Sequence, residues 1–92
     1  MLKIITYNLY NVNNCRIGLP RGARVITVTK REGFDPVLSV LADPDQPKVP
    51  YYVECCRRNN WVTQELVDVP FIGSAIEDGH PIYVFGGTPV NK

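Results

Sequence analysis

The chain has 92 residues, a formal net charge of +1 and 45% hydrophobic residues. This length suits one domain with a single core, spanning residues 1–92, and the hydrophobic content argues against a disordered chain. The near-neutral charge argues against binding of long nucleic acid through its phosphates, because proteins that do so are visibly basic.

The sequence carries no segment typical of secretion or of a membrane span. The opening MLKIITYNLY has no long apolar run before a small-residue cleavage site, and no apolar stretch approaches the roughly 18 residues of a membrane helix. Three cysteines cannot all pair within one chain. We therefore expect a soluble cytoplasmic protein with reduced thiols and no contact with membranes.

Short strands separated by turns are predicted along the whole chain. Eight prolines and seven glycines punctuate the sequence, and the segments between them are rich in Val, Ile, Thr and Tyr. The predicted strands are residues 2–10, 15–19, 23–30, 37–42, 51–56, 71–76 and 82–85. The predicted fold class is all-β, a small antiparallel sandwich or barrel of about six or seven short strands.

Turn residues predict how some of these strands connect. Pro20 and Gly22 predict a turn before the third strand, and Gly33 predicts an antiparallel hairpin between the third and fourth strands. The segment LADPDQPKVP predicts a rigid turn or an extended edge. The pair Asp78 and Gly79 predicts a tight hairpin near the C-terminus. Only TQELVDV suits a helical turn, and it is too short for a stable helix.

Two of the predicted strands are apolar on both faces. Side chains alternate across a strand, so Val37 and Leu41 lie opposite Leu38 and Val40, and the strand at 82–85 shows the same pattern. Either these are central strands of a sandwich, or a second copy of the chain covers the second face. We predict a homo-oligomer.

Patterns of catalysis and of metal binding are missing. The one histidine, His80, lies in a predicted turn, and the motifs HExxH and GxSxG and a phosphate-cradling glycine loop are absent. Cys55 and Cys56 point to opposite faces of a regular strand and, with Cys15, lack the paired CxxC spacing of a zinc site. The sequence therefore predicts a protein that is not an enzyme and uses no metal or cofactor.

The stretch RRNNW is the first candidate for a ligand-binding site. Guanidinium groups suit phosphate oxygens and aromatic faces suit nucleobases, so the arginines would clamp phosphates while Trp61 or Tyr51 stacks on a base. The alternative is a solvated loop with Trp61 folded back onto the core. The candidate residues of this stretch are Arg57, Arg58, Asn59, Asn60 and Trp61.

The segment YNLYNVNNCR is a second candidate surface. Tyrosine and asparagine are adaptable recognition residues, and Tyr10, Asn13 and Arg16 lie within it. The alternative is an Asn-rich turn around Asn13 and Asn14, because asparagine readily adopts the left-handed conformation.

The order of the segments resembles a family of short, uncharacterised proteins encoded by tailed phages. The similarity is carried by LPRGARVITV, LSVLADPDQP, YYVE, FIGSA and DGHPIYVF, and spans nearly the whole length. In that family an L-P-x-G-A segment precedes a strand, an aliphatic strand runs into an acidic D-P turn, and an aromatic-aliphatic strand closes the chain. At CCRRNNW the chain departs from members that carry Gly-Thr-Gly there. The resemblance transfers no catalytic residues and implies an accessory role in the cytoplasm of the infected host cell.

Together these features predict a non-enzymatic binding protein that acts in counter-defence. Its expected ligand is a nucleotide-type immune messenger of the host, which it would sequester without turnover. One alternative is a protein that occludes a host defence protein directly. The other is a virion-associated structural component, which needs only self-assembly.

Overall fold

The structure is a computed structural model and describes residues 1–57 and 69–90. Within these residues the chain forms seven strands and one short 3₁₀ turn, Leu9–Asn11. The all-β prediction is confirmed, and each predicted strand corresponds to an observed one. The strands are β1 (Lys3–Asn8), β2 (Arg16–Pro20), β3 (Arg24–Thr29), β4 (Val37–Ala42), β5 (Lys48–Arg57), β6 (Phe71–Glu77) and β7 (His80–Pro89).

The strands form two antiparallel sheets that pack as a sandwich. The first sheet has the order β1–β4–β3 and the second the order β2–β5–β7–β6. The predicted hairpins β3–β4 and β6–β7 are confirmed, because each is a pair of consecutive, hydrogen-bonded neighbours. The pairs β1–β4, β2–β5 and β5–β7 join strands that are not consecutive in the sequence.

Local hydrogen bonds close the predicted turns. The backbone N–H of Ala23 donates to the carbonyl oxygen of Pro20 at 3.0 Å, which confirms the turn before β3. Between β4 and β5 the N–H of Asp45 donates to Oδ1 of Asp43 at 3.0 Å, and the N–H of Gln46 donates to the Asp43 carbonyl at 3.1 Å. The first of these bonds is the main reason that the pKa of Asp43 is lowered. The acidic D-P segment is therefore a rigid turn that carries the chain between the sheets.

The β6–β7 hairpin has a two-residue turn. Asp78 and Gly79 have φ values of 52° and 78°, and Glu77 pairs with His80 across them. Two successive left-handed residues match the right-handed twist of a hairpin, which is why Asp-Gly is favoured there.

The core lies between the two sheets and contains the inward-facing side chains of the interior strands. Leu38, Val40 and Ala42 of β4 are fully buried, as are Val53 of β5 and Val84 of β7. Both strands predicted to be apolar on two faces, β4 and β7, are interior strands of their sheets. Their outward side chains are half-buried. The central-strand interpretation is thus confirmed, and the homo-oligomer stays a prediction. The predicted helical turn falls on residues 63–69, of which 63–68 lie outside the described residues.

A β-bulge interrupts the pairing of β5 and β7. Tyr52 lies opposite Thr88 and Val53 lies opposite Gly86, so Gly87 is an extra residue on β7. Gly86 has a φ of 124°, and a Cβ there would overlap the backbone carbonyl oxygen of Tyr52. The close approach of the two backbones therefore requires glycine at this position.

Candidate functional site

A cavity of about 390 Å³ opens at the end of the sandwich where β5 and β6 end and β7 begins. Small-molecule pockets range over roughly 300–1,000 Å³ and combine apolar walls with a few polar groups. The apolar side chains of the lining are Leu9, Val12, Val53 and Ile82. Its polar side chains are Tyr10, Cys15, Glu54, Cys55, Arg57 and Glu77.

Strand β5 supplies one wall of the cavity through its alternating side chains. Val53, Cys55 and Arg57 are spaced two residues apart, so they share one face of the strand. Val53 is fully buried, whereas Cys55 and Arg57 are exposed. Along this face the strand therefore runs from the core to the open end of the cavity.

The 3₁₀ turn after β1 places Tyr10 at the cavity. The side chain of Asn8 accepts a hydrogen bond from the backbone N–H of Tyr10 at 2.8 Å, and its amide donates to Oδ2 of Asp35 at 3.1 Å. The N–H of Leu9 donates to the carbonyl oxygen of Pro36 at 2.9 Å. The backbone of the turn is fixed on both sides, and residue Tyr10 is 58% exposed. The exposed ring of Tyr10 is therefore available to a ligand.

A partly buried ion pair joins β5 to β6 at the cavity. One guanidinium nitrogen of Arg57 lies 3.2 Å from Oε1 of Glu77. The Arg57 side chain is 56% exposed, but the Glu77 side chain is only 7% exposed. The second carboxylate oxygen, Oε2, is buried and has no hydrogen-bond partner among the described residues. A buried polar atom without a partner loses its hydration and gains nothing in return, so it marks a place where a donor is needed.

The three cysteines lie around Glu54 and remain free thiols. Burial and then the negative charge of Glu54 raise the pKa of Cys15 and of Cys56. Cys55 has exposed surface, yet the packed protein around it disfavours the thiolate and raises its pKa to about 11. The thiolate is the form that attacks electrophiles and binds metals, so the raised pKa values make these thiols less reactive than ordinary cysteines. In the described part of the chain no three His, Cys, Asp or Glu side chains are grouped so as to hold a metal ion.

The structure brings together some of the predicted site residues and separates others. Arg57 and Tyr10, which come from the two different candidate stretches, line the same cavity. Tyr51 does not: it is 1% exposed in the core, and its hydroxyl donates to the carbonyl oxygen of Ala23 at 3.3 Å. Its ring is therefore enclosed, and it leaves the candidate site. Arg58, Asn59, Asn60 and Trp61 lie outside the described residues.

The Asn-rich segment forms a turn beside the cavity. Asn13 and Arg16 exchange backbone hydrogen bonds of 2.9 and 3.0 Å, and the guanidinium of Arg16 donates to the Asn14 carbonyl oxygen at 3.2 Å. Asn14 and Cys15 have φ values of 54° and 61°. The predicted turn is present, and neither Asn13 nor Arg16 lines the cavity.

Sequence reasoning missed Glu77. An acidic residue beside Asp-Gly reads as a solvated turn residue. The position of Glu77 within β6 is the feature that indicates its burial. Ala75 and Glu77 share a face of β6, and Ala75 pairs with the buried Ile82. Glu77 therefore lies on the inward face, where a carboxylate needs partners.

A second concavity, of about 480 Å³, lies between the β3–β4 and β6–β7 turns. Its lining side chains are exposed or half-buried, and none is a buried polar group without a partner. They are Lys30, Glu32, Gly33, Ile76, Asp78 and Gly79. The first cavity is therefore the better candidate.

Comparison of the chain with known protein families, curated proteins and solved structures found no match. The resemblance to tailed-phage proteins stays a prediction. The residues that the structure describes include no helix with the length and apolar character needed to cross a membrane.

Proposed function

We propose that this chain is a non-enzymatic binding protein whose cavity takes a nucleotide-type ligand. The observation that carries the proposal is the meeting of Tyr10, Arg57 and Glu77 at one cavity of ligand size. An exposed aromatic ring stacks on a base, and the guanidinium donors of Arg57 that do not contact Glu77 suit phosphate oxygens. The three residues come from three separate elements of the fold.

The resemblance to tailed-phage proteins supports a biological setting for this activity. In that setting the protein acts in the cytoplasm of an infected cell and sequesters a nucleotide messenger made by a host defence system. Sequestration requires binding without turnover. The thiols near the cavity suit this, because their raised pKa values leave little thiolate to act as a nucleophile.

Calorimetry with a panel of linear, cyclic and ADP-ribose-derived nucleotides tests the proposal. We expect at least one to bind and to be recovered unchanged. Tyr10→Ala and Arg57→Ala should each weaken binding by at least about fivefold, because base stacking and charged hydrogen bonds contribute about 1–3 kcal/mol each. Arg24→Ala is the matched control, because this exposed arginine lies outside the cavity lining. Absence of binding across the panel would contradict the proposal.

A protein partner is the second candidate, favoured by apolar side chains on the outside of the first sheet. Ile4 is 63% exposed and Ile26 is 46% exposed. Ile4 of β1 pairs with the half-buried Leu41 of β4, so two aliphatic side chains lie next to each other on neighbouring strands. Such a surface suits either occlusion of a host protein or self-assembly in a virion.

A further inference from the structure

The chemistry of the cavity narrows the class of ligand, if the proposed function holds. Among the described residues, the ionisable lining groups that carry charge are two carboxylates, Glu54 and Glu77, and one guanidinium, Arg57. The formal sum of these three groups is negative, so the described part of the lining does not favour an anion. A phosphate is therefore better placed at the exposed side of Arg57, with the uncharged part of the ligand inside.

The two carboxylates are not equivalent. Both oxygens of Glu54 have neighbours on its own strand: the hydroxyl of Tyr52 donates to Oε1, and the thiol of Cys56 lies 3.9 Å from Oε2. Among the described residues, Glu77 contacts only Arg57, through Oε1. Its Oε2 is the one buried side-chain oxygen or nitrogen in the described part of the chain that lacks a partner.

An ionised carboxylate accepts hydrogen bonds and donates none. A ligand that satisfies Glu77 must therefore bring N–H or O–H donors and no acceptor at the point of contact. Among the common nucleobases, only guanine presents two adjacent N–H donors, N1–H and the 2-amino group, along one edge. Adenine presents an amino donor beside the acceptor N1, which a carboxylate repels.

We propose that the cavity selects guanine nucleotides, with Glu77 accepting from the N1–H and 2-amino edge and Tyr10 stacking on the ring. Oε2 has almost no surface open to the cavity, so the Glu77 carboxylate must rotate about its side-chain bonds before the edge donors can replace the missing partner of Oε2. Arg57 fixes Glu77 through Oε1 and keeps its remaining donors for the phosphate. Specificity then comes from Glu77, because guanine supplies the hydrogen bonds that Oε2 lacks in the free protein, whereas adenine leaves this acceptor unpaired.

Three mononucleotides test this proposal in the unmodified protein. GMP presents both edge donors, IMP presents only N1–H, and AMP presents the mismatched edge. We expect binding to weaken in the order GMP, IMP, AMP, with GMP at least about tenfold tighter than AMP, because a good bidentate contact discriminates bases by about 1–3 kcal/mol. Calorimetry gives the affinities, and the rise in Tm with each nucleotide checks them independently.

Substitution at Glu77 tests which residue carries the preference. Glu77→Gln keeps the shape of the side chain but adds an amide donor that suits the N1 acceptor of adenine. We expect this variant to lose the preference for GMP and to bind AMP at least as tightly. Asp78→Asn is the matched control: it makes the same chemical change one residue away, at a side chain that does not line the cavity, and should keep the order of the three nucleotides.

The outcomes separate this inference from the proposed function. Equal binding of GMP and AMP, or a GMP preference unchanged in folded Glu77→Gln, overturns guanine selection and leaves nucleotide binding standing. No binding of any nucleotide overturns both. If Glu77→Gln fails to fold, the comparison of GMP, IMP and AMP on the unmodified chain still decides the question.

Discussion

Glu77 is the one charged side chain that the structure buries within residues 1–57 and 69–90. A buried carboxylate is costly unless it is paired, and truncation of its partner costs more than the pair itself contributes. Arg57 is more than half exposed, so water screens part of its attraction to Glu77. A single screened arginine is a weak compensation for this carboxylate, which is consistent with a second donor supplied by a ligand.

Two of the residues predicted to bind a ligand, Arg57 and Tyr10, line the cavity. Both belong to residue types that recognition sites favour in general. Glu77 was not predictable in the same way, because its role depends on burial and not on type. Tyr51 shows the converse. Its type suggested stacking, but its position on the inward face of β5 puts its ring in the core.

The thiol of Cys55 should react slowly at neutral pH. Its pKa of about 11 leaves a smaller fraction as thiolate than an ordinary cysteine has, although the side chain is accessible. We expect alkylation by iodoacetamide to be slow near neutral pH and to accelerate as the pH rises toward 11, as followed by mass spectrometry of the labelled peptide. A short unfolded peptide containing one cysteine is the control, and equal labelling rates at neutral pH would contradict the prediction.

The same shift makes stability depend on pH. As the pH rises above 9.0, the unfolded chain releases the Cys55 proton before the folded chain does. The folded state then binds more protons than the unfolded state, so the free energy of unfolding falls as the pH rises from 9.0 to about 11. Below pH 9.0 the contribution of the protonated Cys55 thiol to the free energy of unfolding is fully present.

At the scale of elements, local sequence signals predicted the strands and both hairpins of consecutive strands. Segments rich in β-branched residues and bounded by glycine and proline indicate strands. A short turn joins two strands that are consecutive in the sequence, so it also predicts their pairing. The partners of β1 and β2 were not predictable. They are β4 and β5, and such pairings are decided by packing across the whole core and not by local turn residues.

The bulge on β7 makes Gly86 the least replaceable glycine of the described chain. Gly86→Ala would force a Cβ into the Tyr52 carbonyl oxygen, so we expect a loss of at least about 3 kcal/mol in the free energy of unfolding or a failure to fold. Gly79→Ala is the control. Its φ of 78° is also positive, but the space around its Cβ is open, so the substitution should cost only about 1 kcal/mol. Urea denaturation measures both, and equal losses would contradict the prediction.

At the scale of the whole molecule, the apolar outer face of the first sheet is the feature that bears on assembly. The interior positions of β4 and β7 explain their two apolar faces without a second copy. They do not explain why Ile4 and Ile26 are exposed. Contact of these aliphatic side chains with water is unfavourable. Covering them with another protein surface would therefore stabilise an assembly.

We therefore still predict a homo-oligomer, formed through this face. Light scattering coupled to size-exclusion chromatography should give a multiple of the 10.4 kDa chain mass at micromolar concentration. Ile4→Lys should return the mass to that of the single chain. Ile76→Lys changes an equally exposed isoleucine on the second sheet and should leave the mass unchanged. A mass of one chain for the unmodified protein would show that the exposed face does not pair in this way.

The interleaved order of the strands has a consequence for synthesis on the ribosome. β1 and β2 emerge first, but their partners β4 and β5 follow only after long stretches of chain. β7, which lies between β5 and β6, is the last strand described. The first sheet can pair once β4 has emerged, but the second sheet stays incomplete until β7 has been made, so the core face of the first sheet is uncovered until then. The complete sandwich therefore forms only after β7 has been made, and until then the nascent chain is exposed to chaperones, proteases and other copies of itself.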